Sequence, residues 1–302
     1  MKVMCITPFN KEDYLSMCVI EGLKKLNVEI VHTDAGNGLQ ACYSDEYVLE
    51  QSVDADAVFA IWSKCRTPGP RFHLLNMISK NIPVAYIDGS EYNCAGYNGE
   101  KHPWLHPGML KRADFYFKRE CLPEDAVNNR ILPLPFAARD RDFVYPINAF
   151  TRDNDVFCAF GQNGMDPIRH RLEVMCKENN WLTGKFSNEE YIRHTYGSKI
   201  GVNAHGGGED CMRFWEILAA GAACFTQKLN IRIPHPFEDG VNIVEFMTHD
   251  EFVDKVKFYL DRPEELKRIA LAGYQHLVKY HTTRERARYI LETMGWDYPD
   301  EA

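Results

Sequence analysis

The sequence predicts an α/β chain made of two successive, doubly wound halves. Short apolar runs alternate with helical periodicity over residues 2–134, the pattern of parallel βαβ units. The alternation breaks in a proline-marked stretch and restarts at Asp155. The 302 residues exceed the roughly 100–200 of an ordinary domain and leave room for two.

In the first half, residues 2–7 form an apolar strand. Residues 12–26 follow with Leu15, Val19, Leu23 and Leu26 at helical spacing. Residues 28–33 and 55–62 read as strands, 71–80 as a helix, and 83–87, 114–118 and 130–134 as three more strands. Such short apolar strands suit a sheet covered on both faces. Pro133 and Pro135 then break regular structure, and the boundary is placed between residues 137 and 138.

The second half opens with a strand at 155–160 and a turn, Gly161-Gln-Asn-Gly164. Asp166 and Pro167 are the N-cap and first position of a helix. Ser187-Asn-Glu-Glu190 is a capping box for a helix through Tyr196. A strand at 199–204, a helix at 210–221 and a strand at 222–226 follow. Thr248, Pro263 and Thr282 open the last three helices. Two Rossmann-like domains result, residues 1–137 and 138–302, with a ligand expected in the cleft between them.

Composition narrows the partners. The net charge of -8 and pI near 5.8 argue against bulk nucleic-acid binding. They leave open a local basic cleft of Lys111, Arg112, Lys118, Arg119, Arg139 and Arg141. The longest apolar run, residues 217–225, is far below the roughly 20 residues of a membrane span. The 10 cysteines show no metal spacing and sit mostly in apolar runs, which suits a reducing, cytoplasmic setting.

The segment richest in chemistry is GVNAHGGGEDCMRFWEILAAGAAC, residues 201–224. A strand ends at His205, and Gly206, Gly207 and Gly208 let backbone N–H groups approach a ligand. Glu209 follows, and then a helix begins. A helix start offers free N–H groups and about half a positive charge, which suits a diphosphate. Arg213 adds a bidentate donor. Glu216, three residues on, suits a ribose diol. The competing reading is a surface i,i+3 pair of Arg213 and Glu216.

Gly161 opens a second loop before a helix, with Arg169 and Arg171 behind it as further diphosphate contacts. A tight turn with two solvated arginines is the alternative. The first half offers Thr7-Pro-Phe-Asn10, Asp88-Gly-Ser-Glu91, and His102 and His106 flanking Trp104. Asp88 or a histidine is the candidate general base. Three DxD strings begin at Asp54, Asp140 and Asp153; their placement before a strand or in the linker argues against a metal role.

The stretch Glu216-Ile-Leu-Ala219-Ala-Gly221 resembles the E-x-x-A-x-G signature of GT-B glycosyltransferases. Leu182-Thr-Gly184 with Glu190-Tyr-Ile, Asp239-Gly-Val-Asn242, Arg262-Pro-Glu-Glu265 and Ala270-Leu-Ala-Gly273 are similar to flanking pieces of that family. Ser198-Lys-Ile200, Asn203, His205 and Arg213-Phe-Trp-Glu216 resemble its CgeB-like branch. The resemblance covers roughly residues 155–292. It implies a GT-B fold and a nucleoside-diphosphate-sugar donor bound by the second domain. It further implies Glu216 on the ribose, Arg213 and His205 at the diphosphate or sugar, and an acceptor on the first domain. No metal or other cofactor is implied, and the resemblance leans to retention. The C-terminal segment is expected to return to the first domain, as in those relatives. Many retaining relatives carry a second glutamate eight positions before the ribose glutamate; here that position is Gly208, with Glu209 beside it.

The expected function is therefore glycosyl transfer to an unidentified acceptor, with His205 and Asp88 as catalytic candidates. The alternatives are a silent nucleotide-sugar-binding protein, a nucleotide-sugar epimerase, and a transferase acting on nucleic-acid bases.

Overall fold

The computed structural model describes residues 1–7, 14–33, 44–62, 71–91, 105–127, 129–160 and 167–297. The chain divides into two compact units. One comprises Met1–Ala137, Ile231–Pro234 and Thr283–Ala302, the other Ala138–Asn230 and His235–Thr282.

The first unit contains β1 (Lys2–Ile6), α1 (Tyr14–Lys25), β2 (Glu29–His32), α2 (Asp45–Gln51), β3 (Ala57–Trp62), β4 (Val84–Asp88), α3 (Pro107–Arg112), β5 (Phe115–Lys118) and β6 (Ile131–Pro133). All six strands are parallel, in the order β2-β1-β3-β4-β5-β6. Met4, Val58 and Tyr86 from neighbouring strands share one core with Val48, Leu74 and Met109. The helix expected over residues 71–80 is only a 3₁₀ turn, Phe72–Asn76. The turn closes at Met77, whose N–H bonds back to the Leu74 carbonyl, and beyond it the Ser79 hydroxyl takes the Asn81 N–H at 3.3 Å.

The second unit contains β7 (Asn154–Cys158), α4 (Pro167–Glu178), β8 (Leu182–Thr183), α5 (Asn188–Tyr196), β9 (Ser198–Asn203), α6 (Met212–Ala219), β10 (Ala223–Gln227), β11 (Val244–Phe246), α7 (His249–Leu260) and α8 (Pro263–Tyr280). Its five strands are parallel in the order β11-β10-β9-β7-β8. Counted from β7 outward, the order reverses between β7 and β9. Ligands of open α/β sheets bind outside the carboxyl ends of the strands at such a switch point. Gly201 lets α6 lie close on β9, because a Cβ there would meet Ile217 at 2.7 Å. Arg152 anchors the strand starts by donating to four carbonyls, those of Ile147, Tyr196, Ser198 and Ala220.

The last helix, α9 (Thr283–Thr293), packs in the first unit against α1. Leu15, Cys18, Val19, Gly22 and Leu23 form the buried stripe of α1. Gly22 is required for the approach, since a Cβ there would run into the Thr283 carbonyl. Arg286 of α9 is buried and donates to the Phe136 carbonyl at 2.9 Å.

Candidate functional site

The carboxyl ends of β7 and β9 bring together residues far apart in sequence. Phe160 follows β7, and its ring lies under two guanidinium groups, Arg213 at 4.9 Å and Arg169 at 5.4 Å. Each contact is worth about 0.5–1 kcal/mol where exposed and more where desolvated. Neither arginine has a carboxylate within ion-pair distance among the described residues. Arg169 Nη2 instead donates to the Ala204 carbonyl at 3.0 Å, and the Nε atoms of both arginines are buried without a partner. Two positive charges on one ring, with no carboxylate paired to either among the described residues, make a place for an anion. Gly206 keeps that place open, because a Cβ would stand 2.7 Å from Arg169 Nη2.

The loop before α6 points its acids inward. Glu209 Oε2 accepts the Asn230 backbone N–H at 2.5 Å, and Oε1 accepts the Asn230 amide at 3.2 Å. Asp210 accepts the Trp215 indole N–H at 2.8 Å. With its carboxylates turned away, the loop leaves its backbone to meet a ligand. Gly206 is a correction here: its N–H is consumed by the Gly208 carbonyl at 2.8 Å. The N–H groups of Gly207 and Gly208 have no protein partner among the described residues. The N-cap residue of α6, Cys211, makes no side-chain capping bond; the Phe214 N–H turns back to the Cys211 carbonyl, and the Met212 and Arg213 amides have no protein partner among the described residues. The Cys211 thiol sits 3.5 Å from Arg169 Nη2.

Glu216 does not pair with Arg213, and the surface i,i+3 reading is set aside. Its Oε2 accepts the Tyr191 hydroxyl of α5 at 2.8 Å. Burial, and then the Glu216 charge, raise the Tyr191 phenol far above its ordinary value, so it remains a donor. Glu216 borders a cavity of about 240 Å³ whose other walls include Arg141, Asn188, Tyr191 and Ile192.

His205 is buried, and its backbone N–H donates to Gln227 Oε1 at 3.1 Å. Arg171 is exposed on α4, about 200° around the helix from Arg169, and does not join the pair on Phe160. Gly161 and the rest of its turn, together with Asp166, Pro8–Asn10, His102 and Trp104, lie outside the described residues.

In the first unit, the Asp88 carboxyl is enclosed by protein donors. Its Oδ1 accepts from the backbone and hydroxyl of Ser90 at 2.9 and 2.6 Å, its Oδ2 accepts the Tyr116 hydroxyl, and Lys118 Nζ lies 3.5 Å away. The side chain has 1% of its surface exposed, which is unsuited to receiving a substrate proton. His106 likewise caps α3, its Nδ1 accepting the Met109 N–H.

Lys118, Arg119 and Arg139 are buried, and Arg119 pairs with Glu91 and Glu120. The DxD acids have structural partners: Asp54 and Asp56 hold Lys2, Asp142 holds the Arg139 N–H, and Asp155 pairs with Lys199. Among the described residues, no group of three or more His, Cys, Asp or Glu is placed to hold a metal, and no helix is long and apolar enough to cross a membrane.

Residues 148–292 match the glycosyl transferase-like family. That span holds Phe160, Arg169, Tyr191, Arg213 and Glu216. No curated protein matches the sequence. Among solved structures, a glycosyltransferase from Rickettsia africae has a TM-score of 0.66 at 10% identity, covering 97% of both chains. An α-glucosyltransferase in complex with UDP and a 13-mer DNA containing a HMU base has a TM-score of 0.63 at 10% identity, covering 98% of this chain and 99% of that one. Anabaena Alr3699/HepE in complex with UDP has a TM-score of 0.59 at 10% identity, covering 97% and 99%. At these identities the likeness is one of fold: two parallel α/β sheets in the GT-B arrangement.

Phe160, Tyr191, Gln227 and Asn230 were not singled out by sequence reasoning. Phe160 had one usable signal, an aromatic residue at the end of a strand leading into a glycine turn.

Proposed function

We propose that the protein is a glycosyltransferase that moves a sugar from a nucleoside-diphosphate donor to an acceptor, with the donor held by the second unit. The single observation that carries this is the unpaired couple Arg213 and Arg169 on Phe160, beside the uncapped start of α6. The diphosphate lies against this couple and the Gly207 and Gly208 amides. Glu216, oriented by Tyr191, takes the ribose diol, and the adjoining cavity takes the base. The sugar extends toward His205.

When the bond between the sugar carbon and the phosphate oxygen breaks, negative charge grows on the departing diphosphate. Two guanidinium groups and a helix N-terminus already in place stabilise that charge without reorganisation. The acceptor binds the first unit, and transfer proceeds with retention. Ser198-Lys-Ile200, Asn203, His205 and Arg213-Phe-Trp-Glu216 support assignment to the CgeB-like branch.

A second reading has one observation in its favour. The position eight residues before Glu216 is Gly208, and the neighbouring Glu209 is tied to Asn230. A nucleotide-sugar-binding protein without turnover would tolerate this arrangement.

The test is thermal unfolding with a panel of nucleoside diphosphates and their sugars, for the unaltered protein, Arg213→Ala and Glu216→Ala. A ligand at 100 times its Kd adds about 2.7 kcal/mol. A shift with one nucleotide class that both variants lose supports donor binding. Consumption of that nucleotide sugar then separates transfer from silent binding. No shift with any nucleotide contradicts the proposal.

A further inference from the structure

The β10 side of the same site carries an amide whose role is unassigned. β9 lies between β7 and β10, so the anion-binding arginines stand on one side of His205 and Gln227 stands on the other. The backbone N–H of His205 can only donate, which forces the Gln227 atom it meets at 3.1 Å to be the amide oxygen. The Gln227 NH₂ therefore points away from that bond. It has no protein partner among the described residues, and the residue is half-buried at the strand end. Gln227 is held in turn by its neighbours: Asn203 donates to Thr226 Oγ1 at 3.0 Å, and Thr226 donates to the Gln227 carbonyl at 2.9 Å.

A ligand laid across these strand ends meets two cations on the β7 side and a neutral donor on the β10 side. The anionic part of a nucleotide sugar belongs with the cations. The hydroxyl-bearing part belongs with the neutral amide, whose two N–H donors match hydroxyl oxygens and gain little from a full negative charge.

We propose that Gln227 binds a hydroxyl of the donor sugar through Nε2 while its Oε1 fixes the end of β9, so that it contributes to selection of the sugar. This rests on the donor reading of the site given above.

The experiment measures affinities for UDP and UDP-glucose by calorimetry on the full chain, unaltered and as Gln227→Met and Gln227→Glu. Both variants are first checked for an unchanged melting temperature without ligand. The expected result is UDP affinity within about twofold of the unaltered protein in Gln227→Met, with UDP-glucose weakened roughly fivefold, the size of one lost hydrogen bond. Gln227→Glu keeps an acceptor for the His205 N–H and removes the donor pair, so it too should weaken UDP-glucose. Wild-type affinity for UDP-glucose in Gln227→Glu, or equal loss of UDP and UDP-glucose in Gln227→Met, overturns the assignment. Failure of the unaltered protein to bind any nucleoside diphosphate or its sugar overturns the donor reading, and the assignment with it.

Discussion

Tyr191 donates its hydroxyl to Oε2 of Glu216 at 2.8 Å, and this bond between α5 and α6 fixes the direction in which the carboxylate faces. The phenol is itself locked among aromatic neighbours, with Phe157 at 5.5 Å between centroids. Glu216 is therefore a preset acceptor, with Oε1 left for a ligand.

Removing that hydroxyl should weaken both the fold and ligand binding. Tyr191→Phe keeps the ring and loses one hydrogen bond to a charged group that the fold already holds, worth about 1.5–3 kcal/mol. The melting temperature should fall by several degrees, and affinity for the nucleoside diphosphate that the unfolding panel selects should fall as Glu216 loses its fixed direction. Titration calorimetry and thermal unfolding check the two halves of this expectation. Unchanged affinity would show that Glu216 is not a ligand contact.

Gly206→Ala probes the arginine couple without touching either arginine. The added Cβ would meet the far end of the Arg169 side chain, which can swing away at little cost to the fold. The guanidinium then leaves its place over Phe160. The expected result is a folded protein with clearly weakened affinity for nucleoside diphosphates. Gly201→Ala is the contrasting variant, since its Cβ meets branched Ile217 inside the core. It should destabilise by about 1–3 kcal/mol, read from a denaturant titration.

Thiol labelling maps the site without mutation. Burial pushes the Cys5 thiol up to about 12 and the Cys121 thiol up to about 11, and it raises Cys158 and Cys224 as well. Thiols that stay protonated and buried do not alkylate at neutral pH. Among the described cysteines, Cys211 alone is half-buried. Mass spectrometry after iodoacetamide treatment should find Cys211 modified before the other described cysteines and protected by a bound nucleoside diphosphate. Modification of Cys211 at the same rate with saturating nucleotide would place the ligand elsewhere.

The capping box of α5 should give the fold part of its pH dependence. Glu190 accepts the Ser187 N–H at 2.8 Å, and this bond holds its carboxyl below the usual range. A carboxyl depressed by folding adds stability above its unfolded value, near 4.3, and loses that contribution as pH falls through the lower folded value. Glu190→Gln should therefore melt below the unaltered protein at pH 7, with the gap closing toward pH 3. A gap of constant size would assign the effect to something other than this carboxylate.

The parts of this architecture that were legible in the sequence rest on local signals. Apolar runs gave the buried strands, and Ser187 with Glu190 announced α5 through the capping box that forms. Two strands carried too little signal: β8 has two residues and β11 three, and both take their strand character from pairing with neighbours. The helix expected over 71–80 shrank to one 3₁₀ turn that closes at Met77, and apolar spacing does not separate such a turn from an α-helix. In the site, the glycines, Arg213 and Glu216 lie within one loop and helix and could be read as a unit. The stack of Arg169 and Arg213 on Phe160 could not, nor could the bonds from Tyr191 and Gln227, which span 25 and 22 residues. The stack exists only once β7 and β9 lie side by side, the Gln227 bond only once β9 and β10 pair, and the Tyr191 bond only once α5 meets α6. Asp88 misled for a related reason: a carboxylate after a strand resembles a base until Ser90, Tyr116 and Lys118 are seen to enclose it.

The central claim is that the Arg213 and Arg169 couple holds a diphosphate. Its most direct test is the affinity series of nucleoside, nucleoside monophosphate and nucleoside diphosphate, with the base that the unfolding panel selects, measured for the unaltered protein and for Arg213→Ala. Affinity should climb with each phosphate in the unaltered protein, and Arg213→Ala should remove most of the climb while binding the nucleoside as before. An equal climb in both proteins would contradict it.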